Sequence, residues 1–236
     1  MFDFAEGRGG QYARCFLGLD TNAGKHDWHG KLVCDDFSGY QACFELGVTE
    51  VGCLAHARRM FHELCVNHGS QVGERALKFF QELYDTERAV RDLQPDERRR
   101  MRKERSDEAA KALQQWLQQQ RRLVPNGSAT AKAIDYSLKR WEALARFIDD
   151  GEPPADNSWA ENQIRPIAIG RSNWPFAGSL RAGQRAAAVM SLLHSARING
   201  LEPYACLNDV LTRLPRQPAS RIDELLPHCW RPDFVA

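Results

Sequence analysis

Several features of membrane and secreted proteins are missing from this sequence of 236 residues. It has no run of about eighteen apolar residues, so no membrane-spanning helix is predicted. The N-terminus MFDFAEGRGG has neither the basic start nor the apolar centre of a signal peptide. The seven cysteines are odd in number and include no Cys-x-x-Cys pair, which favours reduced thiols over disulfides. These absences predict a cytoplasmic protein.

The sequence also lacks an excess of charge of either sign, because 32 Lys and Arg residues face 31 Asp and Glu residues. The distribution is uneven, however, and no acidic residue occurs between Asn162 and Leu201. That segment contains five arginines: Arg165, Arg171, Arg181, Arg185 and Arg197. Arginines near glycines and a helix start are typical of phosphate or DNA contacts, which we favour over a merely solvated basic surface.

The hydrophobic pattern predicts an α/β start to the chain. Short apolar runs predict strands in MFDF, KLVCDD and VTEVGCLA, with the short helices GQYARCFLG and YQACFEL between them. Strands that alternate with helices in this way are typical of an α/β layer.

Helical spacing predominates from residue 70 to the Gly/Pro-rich break DDGEPPADN. The first helical stripe is apolar at four of its five positions: Ala76, Phe80, Leu83, Glu87 and Val90. Pro95 opens a second stretch, on which Leu113, Trp116, Leu117 and Leu123 share a side, and Ser128 is the predicted N-cap of a third. Beyond the break, a helix is predicted in QRAAAVMSLLHSARIN and another from Pro203.

Two carboxylates are candidates for chemistry. Asp35 and Asp36 follow the strand KLVC, and a carboxylate at that edge of an α/β sheet faces the crevice where ligands commonly bind. We take Asp36 as the ordinary turn residue of the pair. Ser158-Trp-Ala-Glu161 fits a capping box, in which Glu161 only returns a hydrogen bond to the backbone. The capping box is the favoured interpretation of the motif alone. The basic segment that follows the motif weakens that interpretation.

The stretch GCLAHARRMFHELCVNHG brings Cys53, His56, His62, Cys65 and His68 into close spacing. The last three drift around a helix and lack a second ligand pair, so packing is favoured over zinc binding. The arginines of this stretch are free to contact phosphate.

Two other features remain open between alternatives. The basic run DERRRMRKERSDE is bracketed by acids, so a solvated helix face is the first interpretation and a DNA contact the second. Trp174 and Phe176 could stack on a base, although anchoring in the core is the favoured use of both.

Four stretches together resemble a known family: VCDDFSGY, GCLAHARRMF, the long stretch from DNSWAENQIRP to LNDVLTRLP, and IDELLPHCW. They are similar to the C-terminal part of the insertion sequence 66 family of bacterial transposases, over nearly the whole chain. The resemblance implies DNA transposition by a DDE-type enzyme. It also implies a partial ribonuclease-H-like α/β fold with an α-helical block inserted before the last catalytic helix.

On this resemblance the chain divides into four segments. Residues 1–69 would be a partial catalytic core and residues 70–150 the helical insertion. Residues 151–200 would continue the core with the glutamate helix and the basic loop, and residues 201–236 would form a C-terminal helix and tail.

The resemblance also assigns site residues. Asp35 matches the second catalytic aspartate and Glu161 the catalytic glutamate, and both would bind Mg²⁺ or Mn²⁺. Cys53 and His56 resemble a C-x-x-H signature, which places His56 near the active site. The candidate DNA-binding residues are His56, Arg58, Arg59, Arg165, Arg171, Arg181 and Arg185. The implied partners are double-stranded DNA, as transposon ends and target, and a second copy or an N-terminal transposase fragment, near the bacterial nucleoid and away from membranes.

One departure from the family concerns its first aspartate, which lies on a strand upstream of the segment that MFDFAEGRGG resembles. Asp3 is not its equivalent. We therefore expect a truncated transposase that is inactive alone and poorly soluble or associated with another chain, because a missing central strand exposes backbone groups. The alternatives are a non-catalytic DNA-binding remnant and a helical assembly module that regulates or completes an intact transposase.

Overall fold

The structure is a computed structural model that describes residues 1–19, 28–170, 172–173 and 176–231. The chain divides into two compact units, a larger one over Ala13–Ile169 and a smaller one from Met1–Tyr12 and Gly170–Ala236. In chain order the helices and strands are α1 (Gly10–Phe16), β1 (Lys31–Cys34), α2 (Gln41–Glu45), β2 (Thr49–Gly52), α3 (Leu54–His68), α4 (Gln71–Val90), α5 (Pro95–Arg105), α6 (Asp107–Arg121), α7 (Ala129–Lys139), α8 (Trp141–Asp149), α9 (Ser158–Gly170), α10 (Leu180–Ile198) and α11 (Pro203–Arg213).

The sheet of the described residues consists of β1 and β2, which pair in parallel with Lys31 opposite Thr49 and Cys34 opposite Gly52. Parallel strands need a crossover, which α2 supplies. The backbone N–H of Cys53 donates to the carbonyl oxygen of Cys34 over 3.0 Å and extends the ladder beyond β2. The predicted strands KLVCDD and VTEVGCLA are thus confirmed at Lys31–Cys34 and Thr49–Gly52, while the ribonuclease-H-like assignment stays a prediction.

The predicted strand MFDF is wrong, because this segment packs on α10 in the smaller unit without forming a ladder. The backbone N–H of Phe2 donates to Ser191 Oγ over 2.7 Å, and the Phe2 ring meets His194 edge-on. The Phe4 ring occupies the space that a Cβ on Gly183 would need. Alternating aromatic residues here fit the grooves of a helix.

The helical block has a single apolar core in the larger unit. Its buried side chains come from α3, α4, α6, α7 and α8, and include Phe61, Phe80, Leu83, Leu113, Leu117, Ile134, Leu144 and Phe147. The predicted stripe of α4 is confirmed at Ala76, Phe80, Leu83 and Val90, which are all buried. Leu123 is 76% exposed, so its predicted place on the buried side of the second stretch is wrong. That stretch is two helices, α5 and α6, and α6 ends before Leu123.

Ser128 is the N-cap of α7, as predicted, and its Oγ accepts a hydrogen bond from the N–H of Ala131 over 3.1 Å. Ser128→Ala removes this acceptor and leaves a helix-end N–H without its partner. We expect the free energy of unfolding to fall by about 1 kcal/mol, and Ser128→Gly to cost only a few tenths. Urea unfolding of the two variants measures both values, and an unchanged midpoint for Ser128→Ala would contradict the capping role.

Arg102 is an exception to the solvated face predicted for the basic run, because its side chain is 1% exposed. Its Nε and Nη2 donate to both carboxylate oxygens of Glu87 over 2.7 and 2.6 Å. Its Nη1 donates to the carbonyl oxygens of Phe147, Asp150 and Pro153 over 3.1, 2.8 and 3.0 Å. The guanidinium therefore joins three helices of the block to the segment that follows them.

Arg98, one turn before Arg102 on α5, acts on the same segment. Its guanidinium donates to the carbonyl oxygens of Val90, Arg91 and Leu93, and to that of Gly151 over 3.1 Å. The solvated-face interpretation is thus wrong for Arg98 and Arg102 and agrees with Arg99 and Arg100, which are exposed.

The smaller unit has its own small core of Ala196, Cys206 and Trp230. Gly200, with φ of +71°, follows the end of α10, and Pro203 occupies the first turn of α11, as predicted. Trp230 Nε1 donates to Asp209 over 2.7 Å and ties the tail to α11. Among the described residues, no helix has the length and apolar character that crossing a membrane requires.

Candidate active site

Asp35 directly follows β1, where the parallel sheet ends. It is half-buried and its Oδ1 accepts a hydrogen bond from the N–H of Phe37 over 3.2 Å. An open surface pocket beside it is lined by side chains from the end of β1, from α3 and from α7: Asp35, Asp36, Phe37, His56, Arg59, Met60, Glu63 and Tyr136. Asp36 is exposed and lies 3.5 Å from Arg140, and its assignment as an ordinary turn residue stays a prediction.

His56 connects this pocket to Glu161. It lies in the first turn of α3, lines the pocket with Asp35, and places its Nε2 3.4 Å from Glu161 Oε1. The His56 side chain is 19% exposed and that of Glu161 is 44% exposed. His56 Nδ1 is buried and has no hydrogen-bond partner among the residues that the structure describes. Asp35 and Glu161, 126 residues apart in the sequence, are therefore both neighbours of one imidazole.

The first turn of α9 is not arranged as the capping box that the sequence suggested. In a capping box the glutamate accepts a hydrogen bond from the backbone of the cap residue. Here the N–H of Ser158 donates to Asp156 Oδ1 over 2.9 Å, and the Glu161 carboxylate faces His56. Glu161 is therefore available for a role outside the helix end.

The predicted DNA-binding arginines fall into two groups. Arg59 lines the pocket of Asp35, and Arg58 and Arg165 are exposed in the same unit. Arg181 and Arg185 are exposed on α10 in the smaller unit, and Arg171 lies outside the described residues.

Trp174 and Phe176 were predicted to anchor in the core. Phe176 is 88% exposed, so its anchoring in the core is wrong, and Trp174 lies outside the described residues. Exposed aromatic rings are what base stacking requires, which keeps the alternative use of Phe176 open.

Burial beside the site controls the ionisation of Cys34, the residue before Asp35. Burial raises the pKa of this thiol from 9.0 to about 12. The unfolded thiol ionises first, so its contribution to stability is complete below pH 9 and is lost as the pH rises toward 12. The full loss is about 4 kcal/mol.

We therefore expect the stability advantage of the wild type over Cys34→Ala to shrink between pH 7 and about pH 10.5, by about 2 kcal/mol. Urea unfolding of both proteins at the two pH values measures the difference. A difference that is independent of pH would contradict the burial of a neutral thiol.

Comparison with known sequences identifies the chain. Residues 1–185 match the transposase IS66 family, and residues 191–228 match the IS66 C-terminal element. Three relatives come from Sinorhizobium fredii (strain NBRC 101917 / NGR234): the uncharacterized proteins y4hP, y4jD and y4qI are 36%, 35% and 34% identical over 219, 185 and 244 residues. The alignments cover 86%, 78% and 99% of this chain. No solved structure matches it.

These matches place the chain among the transposases. More particularly, it belongs to the IS66 family, and its C-terminal region is the element characteristic of that family, as the sequence motifs predicted. The chain spans less than half the length of the three curated relatives, at 40%, 36% and 44%.

Membership of this family implies the use of a divalent metal ion in general. Asp35 and Glu161 supply carboxylate oxygens, which are the ligands that Mg²⁺ prefers. Over the described parts of the chain, no group of three or more His, Cys, Asp or Glu side chains is arranged to hold a metal. The two carboxylates thus fit such an ion by their chemistry, as part of a ligand set.

Proposed function

We propose that this protein acts as the transposase of a bacterial insertion sequence, which cleaves DNA strands and joins them to a target by metal-dependent phosphoryl transfer. The observation that supports this most is that His56 lines the pocket of Asp35 and lies 3.4 Å from Glu161, in a chain of the IS66 family. We further propose that the larger unit has a ribonuclease-H-like arrangement, of which β1 and β2 are two strands.

In this proposal Asp35 and Glu161 hold Mg²⁺ or Mn²⁺, together with a third oxygen ligand from outside the described residues. A divalent metal ion bound there would activate the attacking oxygen and stabilise the leaving oxygen in an in-line displacement. His56 Nε2, 3.4 Å from Glu161 Oε1, restricts the orientation of that carboxylate. Asp35 is fixed in turn by the N–H of Phe37.

The arginines position the DNA. Arg59 shares the pocket with Asp35 and is placed to contact a phosphate close to the reacting one. Arg58 and Arg165 in the larger unit, and Arg181 and Arg185 in the smaller unit, are exposed and are further candidates for phosphate contacts. Binding through phosphates releases counterions, so DNA affinity falls steeply as the salt concentration rises.

The test is the transposition frequency of a marked copy of the element in its bacterial host, with and without the gene for this protein. We expect transposition to require the gene. The same assay distinguishes the alternatives. A DNA-binding remnant would occupy transposon ends, so its deletion would raise the transposition frequency. For a helical assembly module, deletion would lower transposition but substitution of Asp35 or Glu161 would not.

Asp35 and Glu161 are the candidate metal ligands among the described residues, which favours the DNA-binding alternative for the isolated chain. Because the described residues contain no three-residue metal cluster, we propose that the isolated chain binds DNA without cleaving it. Cleavage of labelled transposon-end DNA by the purified chain with Mg²⁺ would contradict this part of the proposal and leave the transposase function intact.

A further inference from the structure

The position of Glu161 depends on very few contacts, because α9 buries none of its side chains. Trp159, Ile164 and Ile169 are all more than half exposed, so these apolar residues bury little surface in the larger unit. Helices in proteins are stabilised mainly by packing of one face. The hydrogen bonds of the residues at the start of this helix therefore have a large share in its placement.

Three residues just before α9 make hydrogen bonds to the rest of the larger unit. Asp156 Oδ2 accepts a hydrogen bond from the hydroxyl of Tyr84 on α4 over 2.7 Å. Asn157 Oδ1 accepts one from Cys53 Sγ over 3.0 Å, and the N–H of Asn157 lies 3.5 Å from the same sulfur. The carbonyl oxygen of Ala155 accepts a hydrogen bond from the N–H of Leu54 over 3.0 Å.

Cys53 contacts both the segment before Glu161 and the segment before Asp35. Its backbone N–H is bonded to the carbonyl oxygen of Cys34, the residue before Asp35. Its side chain is bonded to Asn157, four residues before Glu161. It is also the N-cap of α3, whose first turn carries His56. One fully buried residue thus touches each segment that carries Asp35, His56 or Glu161.

The sulfur is chemically suited to this role. Burial raises the pKa of the Cys53 thiol, so at neutral pH it keeps the proton that it donates to Asn157. A serine hydroxyl could replace the donor, whereas an alanine methyl could not.

Resting on the proposed function, we propose that Cys53 is a positioning residue. Through its hydrogen bonds to Cys34 and Asn157 it fixes the Asp35 and Glu161 segments relative to each other. Tyr84, through Asp156, makes the second contact and connects the helical block to the glutamate helix. The helical block thereby has a role at the site without contributing a ligand.

Hydrogen–deuterium exchange on the purified chain tests this independently of activity. In Cys53→Ala the backbone amides of residues 161–165 should exchange about five- to tenfold faster than in the wild type, as expected for one lost hydrogen bond. Cys53→Ser should restore exchange to within about twofold of the wild type. Cys43→Ala, which also truncates a fully buried cysteine, is the matched control and should leave these amides unchanged.

Equal exchange of residues 161–165 in Cys53→Ala and the wild type would overturn the positioning role, as would an equal acceleration in Cys43→Ala. Tyr84→Phe keeps the ring and removes only the hydroxyl, so it should reproduce the acceleration if Cys53→Ala fails to fold. In the transposition assay, Cys53→Ala should lower the frequency and Cys53→Ser should restore it. If exchange responds as expected while deletion of the gene leaves transposition unchanged, the positioning role stands and the proposed function fails.

Discussion

Arg102→Met should lower the free energy of unfolding by about 3–5 kcal/mol, because it leaves the carboxylate of Glu87 buried without its partner. The guanidinium also donates to three carbonyl oxygens at the end of α8 and beyond it, and the methionine would remove these three hydrogen bonds. Chemical denaturation followed by circular dichroism measures the loss.

Two controls make this result specific to the buried pair. Arg100→Met removes the same charge from the same helix at a side chain that is 74% exposed, and should change stability by less than about 0.5 kcal/mol. The double variant Arg102→Met with Glu87→Leu removes both charges, so it should recover part of the loss. Equal stability of Arg102→Met and Arg100→Met would show that the Arg102 network has no structural role.

Glu161→Gln should lower the transposition frequency at least about a hundredfold, because even residues that only support a metal ligand typically contribute 10- to 100-fold. The amide is nearly isosteric with the carboxylate but carries no charge to hold a metal. The variant is made in the native gene and measured with the marked element. Asp35→Asn should give a loss of the same order.

Asp36→Asn is the matched control for these variants, because Asp36 lines the same pocket and is predicted to be a turn residue. Its transposition frequency should stay within about threefold of the wild type, because the exposed Asp36 lies 3.5 Å from Arg140, whose main carboxylate partner is Glu50. A loss in Asp36→Asn as large as that in Glu161→Gln would contradict the assignment of Asp35 as the ligand of the pair.

The spacing of residues in the sequence predicted those parts of the fold that depend on neighbouring residues. The apolar stripe of α4, the Ser128 cap and the two paired strands follow from side-chain periodicity and turn residues. The segment MFDF was mispredicted because alternation of aromatic residues does not reveal what they pack against. Phe2 and Phe4 pack against α10, and the Ser191 that bonds Phe2 is 189 residues away in the sequence. No local pattern contains that information.

In the candidate site, too, the individual residues could be predicted from the sequence, whereas the contacts between distant segments could not. Asp35 and Glu161 were chosen from strand and helix boundaries and from family resemblance, and their shared neighbour His56 was named on the same resemblance. The contacts of Cys53, Tyr84 and Asp156 were missed, because the local sequence around a residue carries no signal for hydrogen bonds to distant parts of the chain.

A usable signal did exist for Arg102. Glu87 is the single charged position on an otherwise apolar stripe, and a buried carboxylate needs a cationic partner. Arg98 and Arg102 lie four residues apart and therefore on one face of α5. The charged exception on α4 and the arginine face on α5 together could have indicated a buried ion pair.

The central claim is that Asp35 and Glu161 face one divalent metal ion. Iron-mediated cleavage tests it directly, because Fe²⁺ bound in place of Mg²⁺ generates radicals that cut the backbone close to the metal. With ascorbate and peroxide, the purified chain should be cut near residue 35 and near residue 161, and excess Mg²⁺ or Glu161→Gln should suppress both cuts. Cuts near only one of the two positions, or cuts that Mg²⁺ does not suppress, would contradict a shared metal site.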